Sequence, residues 1–308
     1  MRELPIRLLA CLLGLLAGIA VFPLRAANNP HVLVLGCLSS DPKGDYDQLR
    51  PLLDYVVPRM AGVGIREGRI LMARDLQQMG SYLRRGRVDW VTGSSASGMA
   101  LQSRASAQAL LLTERDGVSR DHSVFFARRD SGIATMRELR GRSIAFRDQT
   151  STDAYFVPAM QLLQQGMSLQ RLLSPKDHPE SRSLGFVLGG TELNIATWVH
   201  RRLVDSGALS DADWNNPQYV PPSFRAALKV IGESAEYPLA LEMVRGDLDA
   251  KVRARLREIL LEAANDPDAR EALLHYARTT RFLPIDPATD EALAHLRGAI
   301  VQVRAEVE

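Results

Sequence analysis

Short apolar runs alternate along this chain with longer segments of helical periodicity, and that alternation restricts it to an α/β fold on a mostly parallel sheet. His31-Val32-Leu33-Val34-Leu35-Gly36 reads as a buried strand, closed by a polar loop over residues 39–44. Leu49, Leu52, Leu53, Val56 and Val57 then recur at helical spacing. Residues 70–72 form a second strand and 76–83 a second helix. Residues 88–91 form a third strand, followed by a Ser/Gly turn. Residues 109–112 and 123–127 are extended, and the polar stretch between them reads as the passage into a second domain. Strands follow at 143–146, 184–188 and 228–231, with helices over about 151–165 and 192–203. The last third is helical: Leu248, Val252, Leu256, Ile259, Leu260 and Ala263 share one face, and Leu293, Leu296, Ile300 and Val303 another.

The N-terminus reads as an address. Residues 1–7 are basic, 8–24 carry no charge, and Ala26 and Ala27 follow, which is the order of a secretory signal over residues 1–26. The apolar run falls short of the about 20 residues that span a bilayer, and an uncleaved anchor is the alternative. Leu8-Leu9-Ala10-Cys11 has the form of a lipoprotein box, but most of the apolar run follows it. Without residues 1–26, 35 basic and 35 acidic side chains remain. A neutral body has no charge footprint for nucleic acid. Cys37 is then the one cysteine left, so no internal disulfide is expected.

The usual chemistry motifs are missing. No two of the six histidines have zinc-ligand spacing, and there is neither a phosphate loop nor a dinucleotide fingerprint. The run 93–98 fails the GxSxG elbow because Ser97 stands where the second glycine belongs. No carboxylate pair stands out for acid–base work, so the expectation is a protein that is not an enzyme and needs no cofactor or metal.

One stretch is informative: Leu139-Arg140-Gly141-Arg142-Ser143-Ile144-Ala145-Phe146-Arg147-Asp148-Gln149-Thr150-Ser151-Thr152-Asp153-Ala154-Tyr155-Phe156-Val157-Pro158. A buried strand delivers a run of hydroxyls to a helix N-terminus. The first N–H groups there lack internal partners and carry partial positive charge, which favours an anion. The same spacing fits a plain capping box between Thr150 and Asp153.

This stretch resembles the "DLxGxxxAFxDPxSTSGYxxP" pattern of the periplasmic phosphate/phosphite/phosphonate solute-binding proteins of ABC transporters. The family's "VFFVRKDSGI" approach strand is similar to residues 124–133 here. Its "LKVIxxSPPxP…RxDLDPxLKxRL" return is similar to residues 228–238 and 245–256. The resemblance runs in order from His31 to Arg297 and implies a type II periplasmic-binding-protein fold of the transferrin-like group. That fold is α/β and two-lobed, with two crossover strands and a central cleft. The first lobe would combine 27–117 with 229–308, and the second would be 118–228. The implied role is extracytoplasmic capture of a small anionic or zwitterionic, phosphate- or phosphonate-like ligand for an ABC permease. The alternative is a sensing module that docks on the periplasmic domain of a receptor or histidine kinase. A periplasmic monomer is expected.

Carried over residue by residue, the resemblance makes Ser151 and Thr152 the anion-holding pair, with Thr150 in front and Tyr155 as the aromatic that follows. Thr191 and Glu192 stand in the family's Gly-Ser-His-Asp turn, here Gly189-Gly190-Thr191-Glu192. Thr92 and Ser94 stand where the family has an aromatic wall, and His122 where some members place an aromatic. Asp205 matches a strand-end acid. Tyr46 and Ser39 lie in the loop after the first strand, which faces the cleft in this fold. Trp90, Trp198 and Trp214 are expected in cores or at rims. These departures remove a basic group and add acids. If Asp153 and Glu192 both face the cleft, a doubly charged phosphonate is disfavoured, because adjacent anions share a low-dielectric site at high cost. If Asp153 only caps the helix, the family's ligand is retained.

Overall fold

Residues 30–307 are described by a computed structural model of the chain. The expected signal over 1–26, and Cys11 with it, lies outside the described residues. Two six-stranded sheets organise the rest.

In the first sheet the apolar runs pair as their composition predicts. Val32–Leu38 lies between Glu67–Ala73 and Trp90–Ser94, parallel to both. Ala240–Val244 then pairs antiparallel with Trp90–Ser94 and with Gln108–Arg115, and Thr279–Leu283 closes the far edge. The second sheet runs in the order Leu228–Glu233, Ser123–Arg128, Ser206–Ser210, Ser143–Phe146, Ser183–Leu188, Ser168–Arg171. Its last four strands are parallel to one another.

The chain crosses between the sheets twice. Arg120–Asp121 and Tyr237–Pro238 are the crossing segments, and they pair antiparallel as a two-stranded ribbon. Leu228–Glu233 belongs to the second sheet, bonded to Ser123–Arg128. The return to the first lobe therefore falls after residue 233 and not at 229. The physical reason is that Leu228 is buried with Trp214 and Val220 of the second lobe. Ser95 ties the ribbon down by donating from Oγ to the Pro238 carbonyl at 2.6 Å.

All the parallel strands but Ser168–Arg171 lead into a residue that caps a helical turn, and this fixes what faces the space between the lobes. Asp41 caps Pro42–Arg59, with Pro42 in the first turn. Ser94 caps Ser95–Ala105, so the expected Ser/Gly turn is in fact a strand end and a first helical turn. Thr191 caps Glu192–His200, and Ser210 caps Asp211–Asn215. Ser151 caps a distorted turn, Thr152–Phe156, that leads into Val157–Gln164. The C-terminal helix Pro287–Val307 packs against Ser95–Ala105 of the first lobe and Val157–Gln164 of the second. One apolar cluster thus runs from Met99 and Leu112 through to Phe125, Tyr155 and Phe186. No helix among the described residues is long and apolar enough to cross a membrane.

Candidate ligand cleft

A cavity of about 390 Å³ lies between the lobes, at the C-terminal ends of the parallel strands. The first lobe supplies Asp45 and Gln48 from the opening turns of Pro42–Arg59, Thr92, Ser94 and Ser97 from the strand–helix junction, and Arg115 and Tyr276. The second supplies Arg147, Thr150, Ser151 and Asp153.

Two guanidinium groups therefore meet one cavity from opposite lobes. Arg115 ends the strand Gln108–Arg115 and has no ion-pair partner among the described residues. Its Nε is buried without a hydrogen-bond partner. Arg147 follows the strand Ser143–Phe146 directly. Its Nη1 lies 3.0 Å from Glu192 Oε1. Its Nε lies 3.2 Å from Asp148 Oδ2 but off the hydrogen-bonding direction, and it too is buried without an acceptor. Burial works against the Arg147 charge, but Glu192, Asp148, Asp153 and Asp213 outweigh it and hold the group above its ordinary range. The turn that brings Glu192 there depends on Gly190, which has φ of 75° and donates its N–H to the Arg147 carbonyl at 2.9 Å.

The acids leave a mark on one another. Asp213 is pushed up to about 7, first by burial and then by Asp153, against the opposing bond from Ser210. Cys37, at the cavity wall, is pushed up to about 12 by burial and by Asp45, so it stays a thiol.

The hydroxyls of the 150–152 run are engaged within the protein. Ser151 Oγ accepts from the Ala154 N–H at 3.0 Å and donates to Asp153 Oδ1 at 2.7 Å. Thr150 Oγ1 donates to Asp148. Thr152 is buried and reaches the other lobe, where its Oγ1 accepts from the Ala96 N–H at 2.9 Å. Ser94 Oγ donates to the Thr150 carbonyl at 3.2 Å, also across the lobes. Asp153 thus takes part in the turn and lines the cavity as well.

Of the residues singled out from sequence, Thr92, Ser94, Thr150 and Ser151 meet at this cavity. Glu192 stands behind it on Arg147. The others are elsewhere. Tyr155 is fully buried among Phe146, Phe156 and Phe186, because its helical phase turns it into the core. Tyr46 is 43% exposed on a separate shallow depression with Lys43 and Ile70. Thr191 is an exposed cap, bonded by the Asn194 N–H. Ser39 Oγ is buried away from the cavity lining. His122 lies by the crossing ribbon, 3.9 Å from Glu233 and 4.0 Å from Asp121. Asp205 accepts from Ser143 N and Oγ, both at 2.9 Å, at the strand end opposite the cleft. Trp90 is a core residue, as expected, with no exposed surface. The cavity also holds two basic groups that were not singled out from sequence, Arg115 and Arg147.

Comparison with known proteins now bears on this geometry. Residues 36–290 match the family described as ABC transporter, phosphonate, periplasmic substrate-binding protein. The chain belongs to this family. Two structures of XAC2383 from Xanthomonas citri, one bound to chloride ion and one to ATP, are each 47% identical to it. Each match covers 90% of this chain and 100% of the other, with TM-scores of 0.87 and 0.86. PhnD1 from Prochlorococcus marinus, in complex with methylphosphonate, is 16% identical over 90% of this chain and 99% of its own, with a TM-score of 0.65, and shares the fold. The two-lobed type II periplasmic-binding-protein architecture and the role of capturing a small solute in ABC transport follow from this membership.

Proposed function

We propose that the cleft captures a compound bearing a phosphoryl or phosphonyl group, seats that group between Arg115 and Arg147, and presents it to an ABC permease. The carrying observation is the pair of arginines that opposite lobes bring to one cavity, each with a buried Nε that no hydrogen-bond acceptor satisfies. A buried donor without an acceptor costs about 1–3 kcal/mol. A tetrahedral anion between the lobes would satisfy both and favour the closed arrangement. The relative that is 47% identical was solved with ATP, a phosphoryl compound, which supports the same chemistry here. The chain acts outside the cytoplasm after loss of residues 1–26, works as a monomer and performs no catalysis.

Calorimetry on the mature protein with methylphosphonate, inorganic phosphate and ATP tests this reading. Binding of at least one of them should weaken about tenfold or more in Arg115→Gln and in Arg147→Gln, since a charge-assisted hydrogen bond is worth about 1.5–3 kcal/mol. Failure of all three to bind, or affinities untouched by both substitutions, would refute it.

A further inference from the structure

Glu242 sits in the middle of the first sheet, on Ala240–Val244, with no exposed surface. Four donors converge on its carboxylate. Oε2 accepts from Trp90 Nε1 at 2.6 Å and from the Tyr276 hydroxyl at 2.9 Å. Oε1 accepts from Thr113 Oγ1 at 2.9 Å and from Thr92 Oγ1 at 3.1 Å. Burial raises the Glu242 pKa, while the bonds from Trp90, Thr113 and Tyr276 and the charge of Arg115 favour the ionised form. The ionised carboxylate only accepts, so each of these groups then turns its proton inward. Turning a hydroxyl the other way would leave a carboxylate oxygen short of a partner in a site that water does not reach.

Two of the four, Thr92 and Tyr276, also line the ligand cavity. With their protons committed to Glu242, their oxygens can offer only lone pairs to whatever sits there. Asp45 and Asp153 line the same cavity and, when ionised, likewise only accept. The cavity therefore holds cationic donors on Arg115 and Arg147 and, from both lobes, acceptors on Asp45, Thr92, Tyr276 and Asp153. A bare phosphonate can use the first and not the second.

We propose that Glu242 sets the selectivity of the cleft by holding the hydroxyl protons of Thr92 and Tyr276, so that the cleft prefers a phosphoryl compound whose body carries hydroxyl or amino donors over a simple phosphonate. Glu242 is a positioning residue in this scheme, acting through the half-buried Thr92 and the buried Tyr276 at the cavity wall. The inference rests on the arginine-pair reading for where the anion sits. It adds what the rest of the ligand must be.

The substitution Glu242→Gln reads this directly. Glutamine fills the same volume but must donate from one end. Trp90 can only donate, so the amide oxygen stays on its side and the amide nitrogen faces the threonines. Thr92 must then accept from glutamine and releases its own proton toward the cavity. Calorimetry at pH 8 with adenosine monophosphate and methylphosphonate compares two dianions, one with donors on its body and one without. The wild type should prefer the nucleotide, and in Glu242→Gln that preference should fall about tenfold or more. Losing a charge near Arg115 alone would move both affinities together, and a parallel change overturns the proposal. A second measurement needs no ligand. In the wild-type protein the Thr92 and Tyr276 hydroxyl protons should be slowly exchanging and visible by NMR. Exchange as fast as that of exposed hydroxyls would overturn the assignment even if neither probe binds, whereas absence of binding by itself defeats only the arginine-pair reading.

Discussion

Replacing Asp153 by asparagine should tighten binding of methylphosphonate by about tenfold. Asp153 lines the cavity together with Arg147, and its Oδ1 accepts the Ser151 hydroxyl at 2.7 Å. Asparagine keeps the volume and the acceptor, so the turn after residue 151 is preserved while one negative charge leaves the site. A carboxylate about 5 Å from a bound anion opposes it by about 3 kcal/mol at an effective dielectric near 20. The Arg147 charge and water at the cleft mouth screen this to about half, and about 1.4 kcal/mol is a factor of ten. Calorimetry at pH 8 and two salt concentrations measures the effect, and the gain should shrink at the higher salt. A second reading comes from Asp213, which Asp153 helps to hold near 7. Its titration, followed by carbon NMR, should drop toward the ordinary aspartate range in the variant. An unchanged dissociation constant together with an unchanged Asp213 titration would show that the Asp153 charge is not felt in the cavity, and the reasoning would fail.

Other consequences follow from the same geometry. The folded chain holds a proton on Asp213 up to about pH 7 that the unfolded chain releases near the ordinary aspartate value of 3.8. More protons are then bound in the folded state across that window, so stability falls as pH rises through it, and affinity for an anion falls in the same direction. Denaturant melts and titrations at pH 5.5 and 8 should show both trends, flattened in Asp213→Asn. Thr152→Val strips the buried Ala96 N–H of its acceptor across the lobes, at a cost of about 1–3 kcal/mol, and hydrogen exchange at Ala96 should quicken. Tyr155→Ala opens a cavity among three phenylalanines and should lower stability by about 3–5 kcal/mol in chemical denaturation.

The parallel strands were legible because burial on both faces leaves continuous apolar runs such as 32–35 and 184–188. Four strands of the two large sheets escaped notice: Ser206–Ser210 and Ala240–Val244, which are central but carry Ser, Gly and Glu in their buried runs, and Ser168–Arg171 and Thr279–Leu283. The last two are sheet edges, where one side needs no apolar partner, and Ser168-Leu169-Gln170-Arg171 holds a single apolar residue. The helix at 95–105 was hidden by Ser and Gly, poor helix formers, and it holds through burial of Met99, Ala100 and Leu101 and a close approach of Gly98 to Leu241 and Met243.

The site was harder to read. Its walls come from segments far apart in sequence, and an arginine facing a cleft looks locally like a solvated one. Arg115 stands at the edge of a stretch read as polar passage. Arg147 carried a usable signal: it directly follows a parallel strand, where α/β sheets place their ligands. The hydroxyl run at 150–152 drew attention instead, but a helix N-terminus also needs those hydroxyls for itself, and in the structure it takes them. The part Asp153 plays could not be decided locally, since the same side chain both holds the turn and meets the cavity.

A crystal structure of the mature protein with a bound phosphoryl compound tests the central claim most directly. The account predicts phosphoryl oxygens within about 2.7–2.9 Å of nitrogens on both Arg115 and Arg147, the range of charge-assisted bonds, with the lobes closed over them. A phosphoryl group held instead at the Ser151 turn with neither arginine in contact, or bound outside the cleft, would contradict it.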